Sequence, residues 1–170
     1  MPYVTHAELA ENPGALELSE VASDEHAQPG AAGLLDARLR GQDVGAGPAD
    51  DVAAAQRAVA RIDAAVADAD AVIDGYLAKR GYALPLQPVH RLVTAWCRAI
   101  ARYHLHKNRL APDGKDPIER AWRDALRLLQ QVADGKFALG AGDPVAVHKL
   151  DARFDSAPLV FGRKQLRSWR

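Results

Sequence analysis

The chain has 170 residues and equal numbers of acids and bases; hydrophobic residues make 48% of it, much of that alanine, and aromatics only 6%. That length suits one domain with a real core, and the alanine-rich, aromatic-poor mix suits close-packed helices better than sheets. No apolar run approaches a membrane span, residues 1–20 carry Glu8, Glu11, Glu17 and Glu20 instead of the basic start and apolar core of a secretory signal, and Cys97 has no disulfide partner, so a cytosolic protein is the simple reading.

The neutral total hides an asymmetry. Residues 1–78 hold fourteen acids against Arg38, Arg40, Arg57 and Arg61, a net −10, and residues 79–170 hold eighteen bases against eight acids, a net +10. Two readings stand. The halves neutralise each other as packed helices, or the acidic edge of one copy meets the basic edge of the next, a complementarity that favours register more than affinity.

Thr5 begins Thr-His-Ala-Glu, a capping box in which Thr5 caps and Glu8 reaches back. The short helix that follows stops before Pro13, because the residue before a proline disfavours helix. Residues 14–22 add one more turn. Ser23 to Pro48 is rich in Gly, Asp, Ala and Pro and reads as a long, protruding loop; only residues 33–39 have the pattern of a brief helix within it.

Pro48 stands where a helix starts, with Asp50 and Asp51 in its positive first turn. From there Val52, Ala55, Val59, Ile62, Val66, Ala69, Ile73 and Tyr76 follow a heptad. The spacing predicts a helix from about 49 to Lys79 or Arg80, on the order of 45 Å long, closed by Gly81 in the left-handed conformation. Asp63, Asp68, Asp70 and Asp74 lie mostly off the stripe and read as a solvated face.

Leu84-Pro85-Leu86-Gln87-Pro88 is read as extended. Pro88 is expected to open the next helix, roughly 88–108, with Leu92, Val93, Trp96, Cys97, Ile100 and Tyr103 on one face and Arg91, Arg98 and Arg102 on others. Asp116-Pro117-Ile118-Glu119 restarts the chain with a cap, a proline at the first helical position and a reach-back Glu. Ile118, Trp122, Ala125, Leu129 and Val132 form that stripe, and Gly135 closes it. After Gly140 periodicity is lost. Residues 157–161 read as a short strand and 162–170 as a basic tail.

Chemistry finds little purchase. His90, Cys97 and His104 are spaced by seven, so neighbours stand about 10.5 Å apart, too far to share a metal whose ligands bond at roughly 2.0–2.3 Å. His104 and His106 point to different faces. Cys97 falls on the apolar stripe beside Trp96, where cysteine behaves as a small hydrophobe, not as an activated nucleophile. Gly-Ala-Gly at 45–47 and 140–142 lacks the Lys-Ser/Thr of a phosphate loop. No catalytic residue, metal or cofactor is assigned. The arginines from Arg91 to Arg127 leave a basic helical surface as the basis of an alternative: a small helical nucleic-acid-binding or regulatory protein.

The stronger interaction signal is the tail. Leu159, Val160, Phe161, Leu166 and Trp169 have too little helix pattern to bury themselves locally, and Arg163, Lys164, Arg167 and Arg170 lie among them. The tail either folds back on the bundle or docks on another chain, where an extended stretch adds to a partner's surface and the arginines supply charge-assisted contacts.

An ordered set of short motifs runs through the chain. Tyr3-x-Thr5-x-x-x-Leu9 is followed by Asp74-x-Tyr76-Leu77 and Arg80-x-Tyr82-x-Leu84-Pro85-Leu86. Next come Ile100-Ala101-Arg102-Tyr103-x-Leu105, Gly135-Lys136-x-x-Leu139-Gly140 and Phe161-x-Arg163. Together they resemble the small head–tail connector proteins of Mu-like bacteriophages; the segment 23–48 is longer than expected for that family. The resemblance implies an all-α adaptor, a small helical bundle over residues 1–140 with an extended C-terminal tail over 141–170. It implies a non-enzymatic virion protein of the phage neck, assembled in the host bacterial cytoplasm, as a ring of twelve copies below the portal and around the DNA exit channel. Its partners would be the portal protein, neighbouring copies, and a downstream stopper or tail-terminator protein, with passing DNA bound without sequence specificity and no membrane. Val52, Val59, Ile62, Val66, Ile73 and Tyr76 would pack between helices or around the ring. Leu159, Val160, Phe161, Arg163, Lys164, Leu166, Arg167 and Trp169 would anchor on the portal or a neighbour. Arg91, Arg98 and Arg102 would face the channel or a neighbour.

Overall fold

A computed structural model describes residues 2–23, 31–42, 48–106, 109, 116–140 and 143–144. Among them every regular element is helical and no strand forms. The chain is an all-α bundle built around one long helix.

The capping box forms as the sequence dictates. Thr5 Oγ1 accepts the Glu8 N–H, and Glu8 reaches back to the Thr5 N–H at 2.8 Å, opening α1 (His6–Leu9). A wide turn, Ala10–Gly14, breaks the helix where Asn12 leaves helical geometry ahead of Pro13. Helix α2 (Ala15–Val21) follows.

The described middle of the 23–48 segment does not protrude. Residues 32–39 form α3 (Ala32–Leu39), which packs on α2 and on the long helix. Its Leu35 and Leu39 are 1% and 3% exposed. Two leucines one turn apart bury enough apolar area to hold the helix down, at roughly 1.5–3 kcal/mol for each full burial, despite its glycine-rich setting. The flanking stretches 24–30 and 43–47 lie outside the described residues.

Helix α4 (Ala49–Arg80) begins after Pro48, carries Asp50 and Asp51 in its first turn, and ends at Gly81 with φ +96°. At 1.5 Å per residue it is about 48 Å long. Ala55, Ile62, Val66, Ala69 and Ile73 of the heptad are buried, and Val52, Val59 and Tyr76 are half-buried. Helix α5 (Arg91–His106) starts three residues later than expected. Its first bonds run from the Val93 and Thr94 N–H groups to the His90 carbonyl, so the segment 81–90 is a hinge and not part of the helix. Val93, Trp96, Cys97 and Ile100 form its inner face; Leu92, expected on that face, is 37% exposed.

Helix α6 (Pro117–Ala133) is capped by Asp116, whose side chain accepts the Ile118 N–H at 2.7 Å. Glu119 does not reach back to the cap; it takes the Arg123 guanidinium one turn on. Ile118, Ala125, Leu129 and Val132 are buried, and Trp122 stacks on Tyr103 of α5 with ring centroids 4.1 Å apart. Helices α4, α5 and α6 pack against one another, α2 and α3 pack on α4, and α1 packs on α3.

Candidate functional site

A polar network gathers at the C-terminal end of α4, around the hinge 81–90. Two tyrosines organise it. Tyr3, 3% exposed, donates its hydroxyl to Asp74 of α4 and accepts the Leu86 N–H of the hinge at 3.2 Å. Tyr82, in the hinge, donates to Asp143 and accepts the Leu139 N–H at 3.4 Å. Each hydroxyl thus satisfies a carboxylate and a backbone donor at once, across sequence separations of more than fifty residues. Burial, reinforced by the bond to Asp74, pushes the Tyr3 phenol up to about 12. Burial and Asp143 push Tyr82 upward as well.

Asp143 also takes Arg80 at 2.8 Å, with both side chains mostly shielded from solvent. The Arg80 guanidinium and the Tyr82 hydroxyl hold the Asp143 carboxyl below its ordinary value. Gly135 lies against this pair. It has φ +72°, and a Cβ there would stand 2.6 Å from Arg80 Nη1. The motif residues Arg80, Tyr82, Gly135 and Leu139 are therefore one latch that ties the end of α6 to the end of α4.

The N-terminal segment lies along α4 as a strap. The Tyr3 N–H donates to Asp70 at 3.3 Å, and His6 Nε2 lies 2.6 Å from Asp63. Asp70 also accepts the Cys97 thiol of α5 at 3.2 Å. Burial raises the Asp70 carboxyl, with the two donors opposing. Three of the four aspartates read as a solvated face are thus engaged by the strap. Their spacing held the signal: 63, 70 and 74 fall seven and four apart, on one helix face. Cys97 is wholly buried, and desolvation beside Asp70 drives its thiol far up, so it stays protonated at neutral pH.

Between strap, α3 and α4 opens a cleft of 730 Å³, walled by Val4, Leu39, Val66, Ala67 and Pro85 and edged by Asp63, Asp70 and Asp74. Its volume is that of an ordinary ligand pocket. Among the described residues, no group of three His, Cys, Asp or Glu is placed to hold a metal ion, and no helix is long and apolar enough to cross a membrane.

The basic residues expected to face a channel or a neighbour differ in their setting. Arg91 is exposed and Arg98 half-buried. Arg102 grips Glu17 of α2 with two bonds, 2.5 and 2.7 Å, and His106 adds a third contact at 2.8 Å. Burial would raise Glu17, but Arg102 and His106 outweigh it and hold the carboxyl below its ordinary value. Here acidic and basic halves neutralise each other within one chain. Of the packing residues, Ile62 and Ile73 are wholly buried in the chain's own core and Val66 nearly so. Leu159, Val160, Phe161, Arg163, Lys164, Leu166, Arg167 and Trp169 lie outside the described residues.

The sequence of this all-α bundle matches a known class of phage protein. The family described as Bacteriophage Mu, Gp36 matches residues 3–154, and the chain belongs to it. It is similar to the Mu-like prophage FluMu protein gp36 of Haemophilus influenzae, 37% identical over 106 residues, 61% of this chain and 72% of the relative. It is similar also to gene product J of Escherichia phage Mu, 38% identical over 104 residues, 59% of this chain and 70% of the relative.

Proposed function

We propose that this Mu-family phage protein is a structural, non-enzymatic head–tail connector, forming a ring of twelve copies below the portal around the DNA exit channel. The observation that carries the reading is the use to which the motif residues named in the sequence are put. Tyr3 bonds to Asp74 and Leu86, Arg80 and Tyr82 meet on Asp143, and Gly135 lies against Arg80, so two networks brace the joint at the end of α4. A motif set that ties the ends of packed helices together suits a protein whose task is to hold a fixed shape between partners.

In this reading the protein sits in the virion neck. Its partners are the portal protein, neighbouring copies and a downstream stopper or tail-terminator, and DNA passes without sequence-specific binding. Because Ile62, Val66 and Ile73 are occupied inside each chain, ring contacts fall to half-buried Val52, Val59 and Tyr76 and to exposed Leu84, Val89 and Leu92. Residues 157–170 form the arm that reaches the portal or an adjoining copy.

Electron microscopy of a lysate from a prophage lacking this gene tests the reading. Separate heads and tails are expected. Intact, infectious particles would overturn it and turn attention to salt-sensitive DNA binding by exposed Arg91 and its basic neighbours, whose affinity would fall steeply with added salt.

A further inference from the structure

We infer that the cleft beneath the N-terminal strap is the resting seat of this chain's own C-terminal segment, residues 157–170. Three observations meet. The cleft is apolar on its walls, and its edge carries three aspartates against Arg40, which pairs with Asp36, and His6, which lies on half-exposed Asp63 at the mouth. The segment has the complementary chemistry: four bases, no acid, and Leu159, Val160, Phe161, Leu166 and Trp169 between them. A 730 Å³ hollow holds a few such side chains but not the whole segment, so aromatic or aliphatic anchors fill it while a base of the segment meets exposed Asp63 at the mouth.

Reach decides which copy supplies the segment. The described chain ends at Pro144, which lies beside Gly81 at the end of α4 and is fixed there by Asp143 on Arg80 and Tyr82. Along the helix axis the cleft runs from about 10 Å (Asp74) to about 27 Å (Asp63) away from that point. Twelve residues lie between Pro144 and Ala157, and the thirteen steps span up to about 43 Å extended. The whole cleft is within reach of its own tail, and an intramolecular partner has an effective concentration a free one lacks.

The consequence for assembly rests on the connector reading; the contact itself does not. A seated arm keeps its apolar side chains covered in the free protein and leaves the cleft only for a better partner, so the arm and the cleft are released together on assembly.

Photo-crosslinking tests this on the full-length chain. Phe161 is replaced by benzoylphenylalanine, natural-isotope and ¹⁵N chains are mixed in equal amounts, and the crosslinks are mapped by mass spectrometry. Crosslinks from position 161 to residues 2–7 or 63–74, in same-isotope pairs only, are the expected result. Asp63→Lys, at an exposed position, should cut their yield several-fold. Mixed-isotope pairs would place the segment on a second copy and overturn the assignment to its own chain. Crosslinks elsewhere, none at all, or a yield indifferent to Asp63→Lys would overturn the cleft as the seat. Joined virions with a failed crosslink would leave the connector reading standing; separated heads and tails are not needed for the crosslink to succeed.

Discussion

Tyr3 carries one hydroxyl and joins three segments with it: strap, long helix and hinge. Tyr3→Phe leaves the Leu86 N–H and the Asp74 carboxylate without that partner in a shielded site, which costs about 1–3 kcal/mol. Urea denaturation would read it as a lower midpoint. The same tyrosine sets an alkaline limit. Its folded-state pKa, about 12, lies above the ordinary value near 10. Its contribution is therefore complete below pH 10 and lost as pH rises through about 12. Stability measured from pH 9 to 12 should fall, and Tyr3→Phe should flatten that fall. Gly135 is a residue of the opposite kind, needed for what it lacks. Gly135→Ala meets a left-handed backbone and the Arg80 guanidinium together; the backbone term alone is about 1–2 kcal/mol, with loosening of the latch as its readout in hydrogen exchange at Leu139.

Helices α2 and α5 are joined by charge as well as packing. Glu17 has a depressed folded-state carboxyl pKa because Arg102 and His106 hold it ionised against the pull of burial. Its contribution is present above the ordinary carboxylate range and is lost as pH falls through the lower folded value. Glu17→Gln should remove that share of the acid limb, seen by thermal unfolding between pH 6 and 3. The register of α5 makes a second test. Ile73 on α4, fully buried, should lose about 2–5 kcal/mol on truncation to Ala. Leu92, exposed at the first turn of α5, should change by no more than about 0.5 kcal/mol. Equal losses would contradict the helix start at Arg91.

For the whole molecule, the described buried core is built within residues 3–132. Deleting 157–170 should leave the far-ultraviolet helical signal and cooperative unfolding in place while abolishing binding to the portal. Normal portal binding by the truncated chain would remove the arm from the connector scheme.

Periodicity and punctuation alone placed most helices. The heptad from Val52 to Tyr76, Pro48 and Gly81 bounded α4 as found, and the Thr5 and Asp116 caps opened α1 and α6 as found. Such signals are local: caps, prolines and left-handed glycines act on bonds a few residues away. The resemblance to the Mu-like family was legible in the same short motifs. What they do together was not. That Asp70 and Asp74 face a strap and not water, that Arg102 answers Glu17, that Gly135 makes room for Arg80, and that 31–42 folds down as α3 all depend on partners on other elements, up to 85 residues away. Side-chain burial and pairing at that range are decided when helices pack and exclude water, and only the tertiary structure holds that information.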